Sequence, residues 1–215
     1  MSVVVAIKSE GKVYIGSDSQ VTKGGTRTTL KNPNNYKIWK VDGSDNCLMA
    51  HVGNVRDANI VRLMRDVVDD YDEYCGRINY RFVVKYLVPE IIKNLKEVGF
   101  LKTSDGYLEY MDSSFLFAYK DQLFSINSDG CVIEVDDYVA IGSGSQEAIG
   151  SLLSTEGQKA KNRIVKAIKS SAASDIYVDY PIILTDTEST EFEIVTERNE
   201  GKYLAGDNKK GEELK

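Results

Sequence analysis

SVVVAIKSEGKVYIGSDSQVT, residues Ser2 to Thr22, is the stretch whose reading decides the fold. Val3 to Ile7 is apolar and mostly β-branched, Ser9-Glu10-Gly11 supplies turn chemistry, and Lys12 to Gly16 forms a second strand-like run. The spacing predicts a β-hairpin that begins directly after Ser2. A strand starting there holds the first residues rigidly instead of letting them fray. This has a chemical consequence, because a free terminal amine has a pKa of about 7.7–8.0 and can take the proton of its own residue's hydroxyl. Such an arrangement needs no histidine. It needs a cation to tune the amine and an acid to hold that cation.

Outward from the hairpin, Thr22 to Asn35 is polar, carries Gly24-Gly25 and Asn32-Pro33, and reads as loop or irregular strand. Tyr36 to Val41 and Cys47 to Val52 read as strands around a turn at Asp42 to Asp45. The period then lengthens. Ile60, Leu63, Met64, Val67 and Val68 fall on one helical face, with Asn54 as N-cap. A second helix is expected from about Asn79 to Glu97, kinked or broken at Pro89. Strands return at Ser114 to Tyr119, Gln122 to Ile126, Cys131 to Val135 and Tyr138 to Ile141. Helices follow at about Gln146 to Ser154 and Ala160 to Ala173, and Ile176 to Val178, Ile182 to Thr185 and Phe192 to Val195 are the last expected strands. An α+β protein of two antiparallel sheets, with a helical pair on each outer face, satisfies this order, although layer logic alone does not require it. Residues 1–196 are expected to form one domain, and the charged segment from Glu197 to Lys215 a mobile tail.

Bulk properties narrow the function. With 215 residues the chain buries enough surface to fold without staples. A net charge of −6, with both signs dispersed, offers no basic stripe for nucleic acid. Cys47, Cys75, Cys131 and His51 are too few and too scattered for a zinc site, and the thiols read as reduced. The first residues carry no basic leader and no long apolar run, so neither signal peptide nor membrane anchor is expected and the cytoplasm is the default location.

The usual catalytic signatures are missing. Gly142-Ser143-Gly144-Ser145 precedes a helix but lacks the Lys-Ser/Thr of a P-loop, and reads as a structural turn. No Gly-x-Ser-x-Gly elbow is followed by a histidine. The carboxylates from Asp66 to Glu73 fit a solvated helix end better than a metal cluster. Attention therefore stays on Ser2.

The opening stretch resembles the start of mature proteasome β subunits and of the bacterial HslV peptidase, members of the N-terminal-nucleophile (Ntn) hydrolases. YKIWKV, AHVGNVRDA and the block from Phe115 to Ala148, with its run EVDDYVAIGSGSQEA, agree with that family in order and spacing. The resemblance spans Ser2 to about Ala173 and implies a four-layer αββα sandwich. It places Ser2 at the nucleophile, Asp18 at the acid, Lys37 at the lysine and Gly53 at the oxyanion-hole glycine, with Ser143 beside the terminal amine. Thr22 falls where substrate backbone is held as an added strand, and Trp39 and His51 fall near the first specificity pocket. Taken singly, Asp18 could make a turn, Lys37 could be an exposed strand lysine and Gly53 a helix entry. Together they read as a site.

What the resemblance implies is an endopeptidase subunit of a self-compartmentalising particle, acting on polypeptides once Met1 is removed. No cofactor or metal is expected; a homo-oligomeric ring and an ATP-dependent unfoldase partner are. Two departures stand out: serine replaces the family's usual threonine, and the Arg-Asp-x-x-Ser-Gly-like signature becomes Ser170 to Asp175, with only Ser174 in place. An inactive ring or shell subunit, or a small-molecule amidohydrolase on the same fold, are the rival expectations.

Overall fold

The computed structural model describes residues 2–64, 68, 78–99, 101–104 and 107–204, with backbone alone over 102–104 and 107–110. Its opening hairpin forms as the pattern predicts, β1 (Val3–Ser9) pairing antiparallel with β2 (Lys12–Ser17). β3 (Gln20–Lys23) and β4 (Thr26–Thr29) form a hairpin of their own, and β5 (Ile38–Lys40) and β6 (Cys47–Gly53) follow. Helix α1 spans Val55–Arg62, capped by the Asn54 side chain, which accepts from the Arg56 N–H. Helix α2 is assembled from Tyr80–Phe82, Val83–Leu87 and Val88–Glu97. The middle segment is π-helical, and Pro89 falls in the first turn of the α-helical segment that follows it, where its missing N–H is tolerated.

The next strands are β7 (Lys102–Ser104), β8 (Tyr107–Tyr110), β9 (Ser113–Tyr119), β10 (Gln122–Ile126), β11 (Val132–Glu134) and β12 (Tyr138–Gly142). Helices α3 (Ser145–Ser154) and α4 (Ala160–Ala172) precede β13 (Ile182–Asp186), β14 (Glu193–Val195) and a last helical turn α5 (Gly201–Leu204).

Among the described residues, two five-stranded antiparallel sheets form the centre, in the orders β12-β1-β2-β13-β14 and β11-β10-β9-β6-β5. Alternation explains the layers. Val3, Val5 and Ile7 point to α3 and α4, packing with Leu152, Ile164 and Ile168. Val4 and Ala6 point the other way, against Leu48, Ala50 and Val52 of β6 in the seam between the sheets. The opposite face of β6, carrying Cys47 and Met49, packs with Phe82, Leu87 and Ile91 under α1 and α2. The result is the four-layer αββα sandwich.

Several expectations needed correcting. The polar segment after Thr22 holds the β3–β4 hairpin, closed at Gly24-Gly25, where a loop or irregular strand was expected. The β7–β8 hairpin was not anticipated at all. Ile176 to Val178 is a turn and not a strand, because Asp175 accepts from the Tyr177 N–H at 2.9 Å and from the Val178 N–H at 3.0 Å. Helix α1 stops at Arg62, and Val67, which the periodicity included, lies outside the described residues. The expected tail begins as a packed segment. Tyr203 and Leu204 rest against the α3/α4 layer, Glu200 accepts from Lys169 at 2.6 Å, and 205–215 lie outside the described residues. No described helix is long and apolar enough to cross a membrane.

Candidate active site

The register of three strands brings the site together. Val3 lies opposite Gly142 and Val4 opposite Ser17, so Asp18, the next residue after β2, arrives beside the start of β1. The two backbones clamp each other: the Val3 N–H donates to Asp18 Oδ1 at 3.0 Å and the Asp18 N–H to the Val3 carbonyl at 3.3 Å. Asp18 Oδ2 accepts from the Gln20 N–H at 2.9 Å. Lys37 enters from the other sheet, just before β5, where its carbonyl accepts from the His51 N–H at 2.9 Å.

Lys37 Nζ then donates three hydrogen bonds, to Ser2 Oγ at 2.6 Å, Asp18 Oδ1 at 2.7 Å and the Gln20 carbonyl at 2.7 Å. All three available protons are used. Ser2, Asp18 and Lys37 are 4%, 0% and 3% exposed, so this is a buried ion pair whose short, charge-assisted bonds fix the serine hydroxyl. Burial holds the Lys37 ammonium below its ordinary pKa, and the Asp18 carboxylate opposes that shift.

The loop after β12 completes the constellation. Ser143 Oγ accepts from the Ser2 N–H at 3.1 Å, and the Gly144 N–H and Ser143 hydroxyl approach the Ser2 carbonyl at 3.4 Å. Gly142 makes this approach possible: its φ is +103°, and a Cβ there would lie 2.1 Å from the Ser2 carbonyl oxygen. Ser171, at the end of α4, steadies the loop by donating to the Gly144 carbonyl at 2.6 Å.

A cavity of about 690 Å³ opens from Ser2, bordered by Thr22, Lys37, His51, Gly53 and Arg56. Gly53 ends β6 with φ +114°, where a Cβ would meet the Asp112 carbonyl at 2.3 Å. Ser113 fixes that corner, accepting from the Asn54 N–H at 3.0 Å and donating to Asp57 Oδ2 at 2.9 Å. Burial, aided by the nearby Lys37 charge, depresses the His51 pKa to about 3, so its imidazole is neutral at ordinary pH.

Seven of the eight residues singled out in the sequence thus meet around Ser2: Ser2 itself, Asp18, Lys37, Ser143, Gly53, Thr22 and His51. Trp39 does not line the cavity. It shares the helix-facing side of the second sheet with Met49 and His51, its ring 6.0 Å from that of His51 and covered by the Arg62 guanidinium at 4.9 Å, on the side of His51 away from the cavity. Reasoning from sequence missed Gln20, whose backbone serves both Asp18 and Lys37, and Asp175, whose Oδ2 is buried without a hydrogen-bond partner. Gln20 had one available signal, its position two residues after an aspartate. Asp175 had none. Ser174, the only match to the family's late signature, is exposed.

Two helix-covered antiparallel sheets, with the first strand starting at a buried hydroxyl held by a lysine and an aspartate, define the fold of the N-terminal-nucleophile hydrolases. The chain belongs to the proteasome family: the family model described as "Proteasome subunit" matches residues 2–179. It is 30% identical over 148 residues to the ATP-dependent protease subunit HslV of Cytophaga hutchinsonii, covering 67% of this chain and 71% of that protein. To the same subunit of Lactobacillus leichmannii it is 27% identical, covering 87% and 99%. Among solved structures, Thiobacillus denitrificans BPH superposes with a TM-score of 0.67 at 18% identity, covering 91% of this chain and 99% of that one. Anbu, the ancestral β-subunit from Yersinia bercovieri, gives 0.65 at 16%, covering 94% and 90%. At those identities the structures speak for the fold alone.

Proposed function

We propose that this chain is a peptide hydrolase that uses Ser2 as its nucleophile after Met1 is removed. One observation carries the reading: Lys37 Nζ lies 2.6 Å from Ser2 Oγ and 2.7 Å from Asp18 Oδ1, at the edge of a cavity large enough for peptide side chains. Ser2 Oγ attacks the scissile carbonyl while the freed Ser2 amine takes its proton, and Lys37 lowers that amine's pKa and stabilises the developing alkoxide. The Gly53 N–H serves the tetrahedral oxyanion, where a donor is worth roughly 3–4 kcal/mol. The amine then returns the proton to the leaving nitrogen, and water, deprotonated by the same amine, releases the acyl group. Serine supplies the same hydroxyl as threonine, without the methyl group that restricts χ1.

Thr22 holds the substrate backbone. The Ser19 carbonyl accepts from the Leu30 N–H at 2.8 Å, and the register from that pair alternates to leave the Thr22 N–H and C=O directed out of the hairpin. A peptide adds there as a further strand. The HslV relatives are named as ATP-dependent protease subunits, which supports assembly of this chain into a ring served by an ATP-driven unfoldase. The free thiols of Cys47 and Cys131 fit work in the cytoplasm.

The test is intact mass and N-terminal analysis of the assembled protein after incubation with a small β-lactone. A Ser2 terminus carrying a single acyl adduct is expected. A mature Ser2 terminus in an assembled particle that forms no adduct overturns the proposal and leaves a ring or shell subunit without catalysis.

A further inference from the structure

The turn that follows α4 is held between two arms that each reach Ser2. On one side Ser171 donates to the Gly144 carbonyl at 2.6 Å, and a Cβ on Gly144 would lie 2.7 Å from Ser171 Cβ and 3.3 Å from Val178 Cγ2. Gly144 follows Ser143, whose Oγ accepts from the Ser2 N–H. On the other side Gln20 Nε2 donates to the Ile176 carbonyl at 2.9 Å, while the Gln20 carbonyl takes Lys37 Nζ, itself 2.6 Å from Ser2 Oγ. Asp175 lies within this turn, its N–H donating to the Ser171 carbonyl at 2.8 Å. Its Oδ1 accepts from the Tyr177 N–H, but its Oδ2 is buried without a hydrogen-bond partner. A buried carboxylate oxygen is rarely left so, and a donor is the missing piece. Burial lowers the Lys37 pKa, and the charges of Asp18 and, less strongly, Asp175 oppose that shift, so the field of Asp175 reaches the site.

Processing of the chain creates such a donor. While Met1 is attached, the Ser2 nitrogen is an amide with one proton, which it gives to Ser143 Oγ. Removal of Met1 makes it an ammonium with three. Asp18 is already bonded at both oxygens, to the Val3 N–H, Lys37 Nζ and the Gln20 N–H, and His51 is neutral. We propose that Asp175 is a positioning residue whose Oδ2 takes the ammonium formed at Ser2, holding the base opposite Ser143. Lys37 then pushes the proton affinity of that amine down and Asp175 pulls it up, which keeps the base strong enough to take the hydroxyl proton. The inference rests on the hydrolase reading in taking the Ser2 amine as base, while the placement of the amine does not require turnover.

The experiment uses the assembled protein with a Ser2 terminus and the variant Asp175→Asn, which keeps Oδ1 for the turn and removes the charge. Carbamylation of the Ser2 amine by cyanate, read by mass spectrometry of the N-terminal peptide, titrates the amine across its ordinary pKa of about 7.7–8.0. The half-point should fall by roughly one pH unit in the variant, since loss of a nearby opposite charge disfavours the ammonium. The acid limb of β-lactone labelling should move down with it. Lys23 of β3 and Arg56 of α1, which line the cavity beside Ser2, keep their charges in both proteins, as do Asp18 and Lys37. A half-point that stays in place or rises overturns the proposal even where the lactone labels Ser2, and a lower Tm alone would mark Asp175 as structural only. A half-point that falls in protein the lactone never labels upholds the placement and removes the hydrolase reading instead. If Asp175→Asn does not assemble, Asp175→Ser, which also offers the Tyr177 N–H an acceptor, is read in the same way.

Discussion

The two hairpins at the start of the chain differ in nearly every physical respect. In β1–β2 almost every residue is buried, and each side chain has a fixed address in either the helix layer or the inter-sheet seam. In β4 every residue is exposed, and among the described residues β3 and β4 pair only with each other. The first hairpin carries the candidate nucleophile and delivers Asp18. The second offers an unpaired strand edge at the cavity. Groups that react must not move, and groups that receive a long, variable substrate need a free edge; under the proposed function the two demands fall on successive hairpins.

Breaking the rigid half should have the largest effect. Lys37→Met removes the cation that touches Ser2 Oγ and should lower acylation by about a thousandfold or more. It also strands Asp18 at 0% exposure and should lower stability by about 3–5 kcal/mol. Adding Asp18→Asn removes the stranded charge, so the double variant should regain much of its Tm in thermal melts while staying inactive in lactone labelling. Recovery of activity along with Tm would mean that the pair is structural only.

Next in size is Gly142→Ala. The new Cβ cannot stay 2.1 Å from the Ser2 carbonyl, so β1 or the Ser143 loop must shift. Acylation should fall by roughly a hundredfold, and left-handed strain should cost about 1–3 kcal/mol, read by labelling rate and melting together.

The free-edge half is sharpened by Thr22→Pro, which removes an outward N–H without breaking the pairing to β4. Turnover of long peptides should fall by about tenfold, and by more than reaction with a small lactone, while Tm changes little. Equal losses for both reagents would dissociate β3 from substrate binding.

A last effect is on acid stability and leaves the chemistry aside. His51 has a folded pKa of about 3 against 6.5 for the free side chain. Between those values the unfolded chain holds the extra proton, so stability rises with pH and is lost as pH falls from 6.5 toward 3. The slope contributed is up to about 1.4 kcal/mol per pH unit, or about 3–5 °C in Tm. His51→Phe should flatten that part of a Tm-against-pH curve.

The same contrast governs what could be read from sequence. Val3, Val5 and Ile7 against Val4 and Ala6 announce a strand buried on both faces, and the first hairpin follows without further information. Thr22, Lys23, Thr26, Arg27, Thr28 and Thr29 bury little and the buried Gln20 is polar, so no apolar period marks the second hairpin. At Ile176 to Val178 the β-branched residues suggested a strand, but the Asp175 side chain captured the local N–H and made a turn. The core of the candidate site was legible only through the resemblance, and the structure supplies the physical reason: Ser2, Asp18 and Lys37 sit at or next to strand ends, where register dictates position. Gln20 and Asp175 were not, because their part depends on which loops meet across the fold. Trp39 shares a sheet face with His51 but stands away from the cavity, which the sequence pattern of one strand does not show.

The clamp between Val3 and Asp18 has a practical side. It seats the Ser2 nitrogen 3.1 Å from Ser143 Oγ, so whatever is joined to that nitrogen must be accommodated beside the Ser143 loop. If the proposed mechanism holds, a purification handle fused ahead of Ser2, or the one or two residues left after cutting it off, would convert the terminal amine into an amide that cannot take the hydroxyl proton. Handles belong at the other end of the chain.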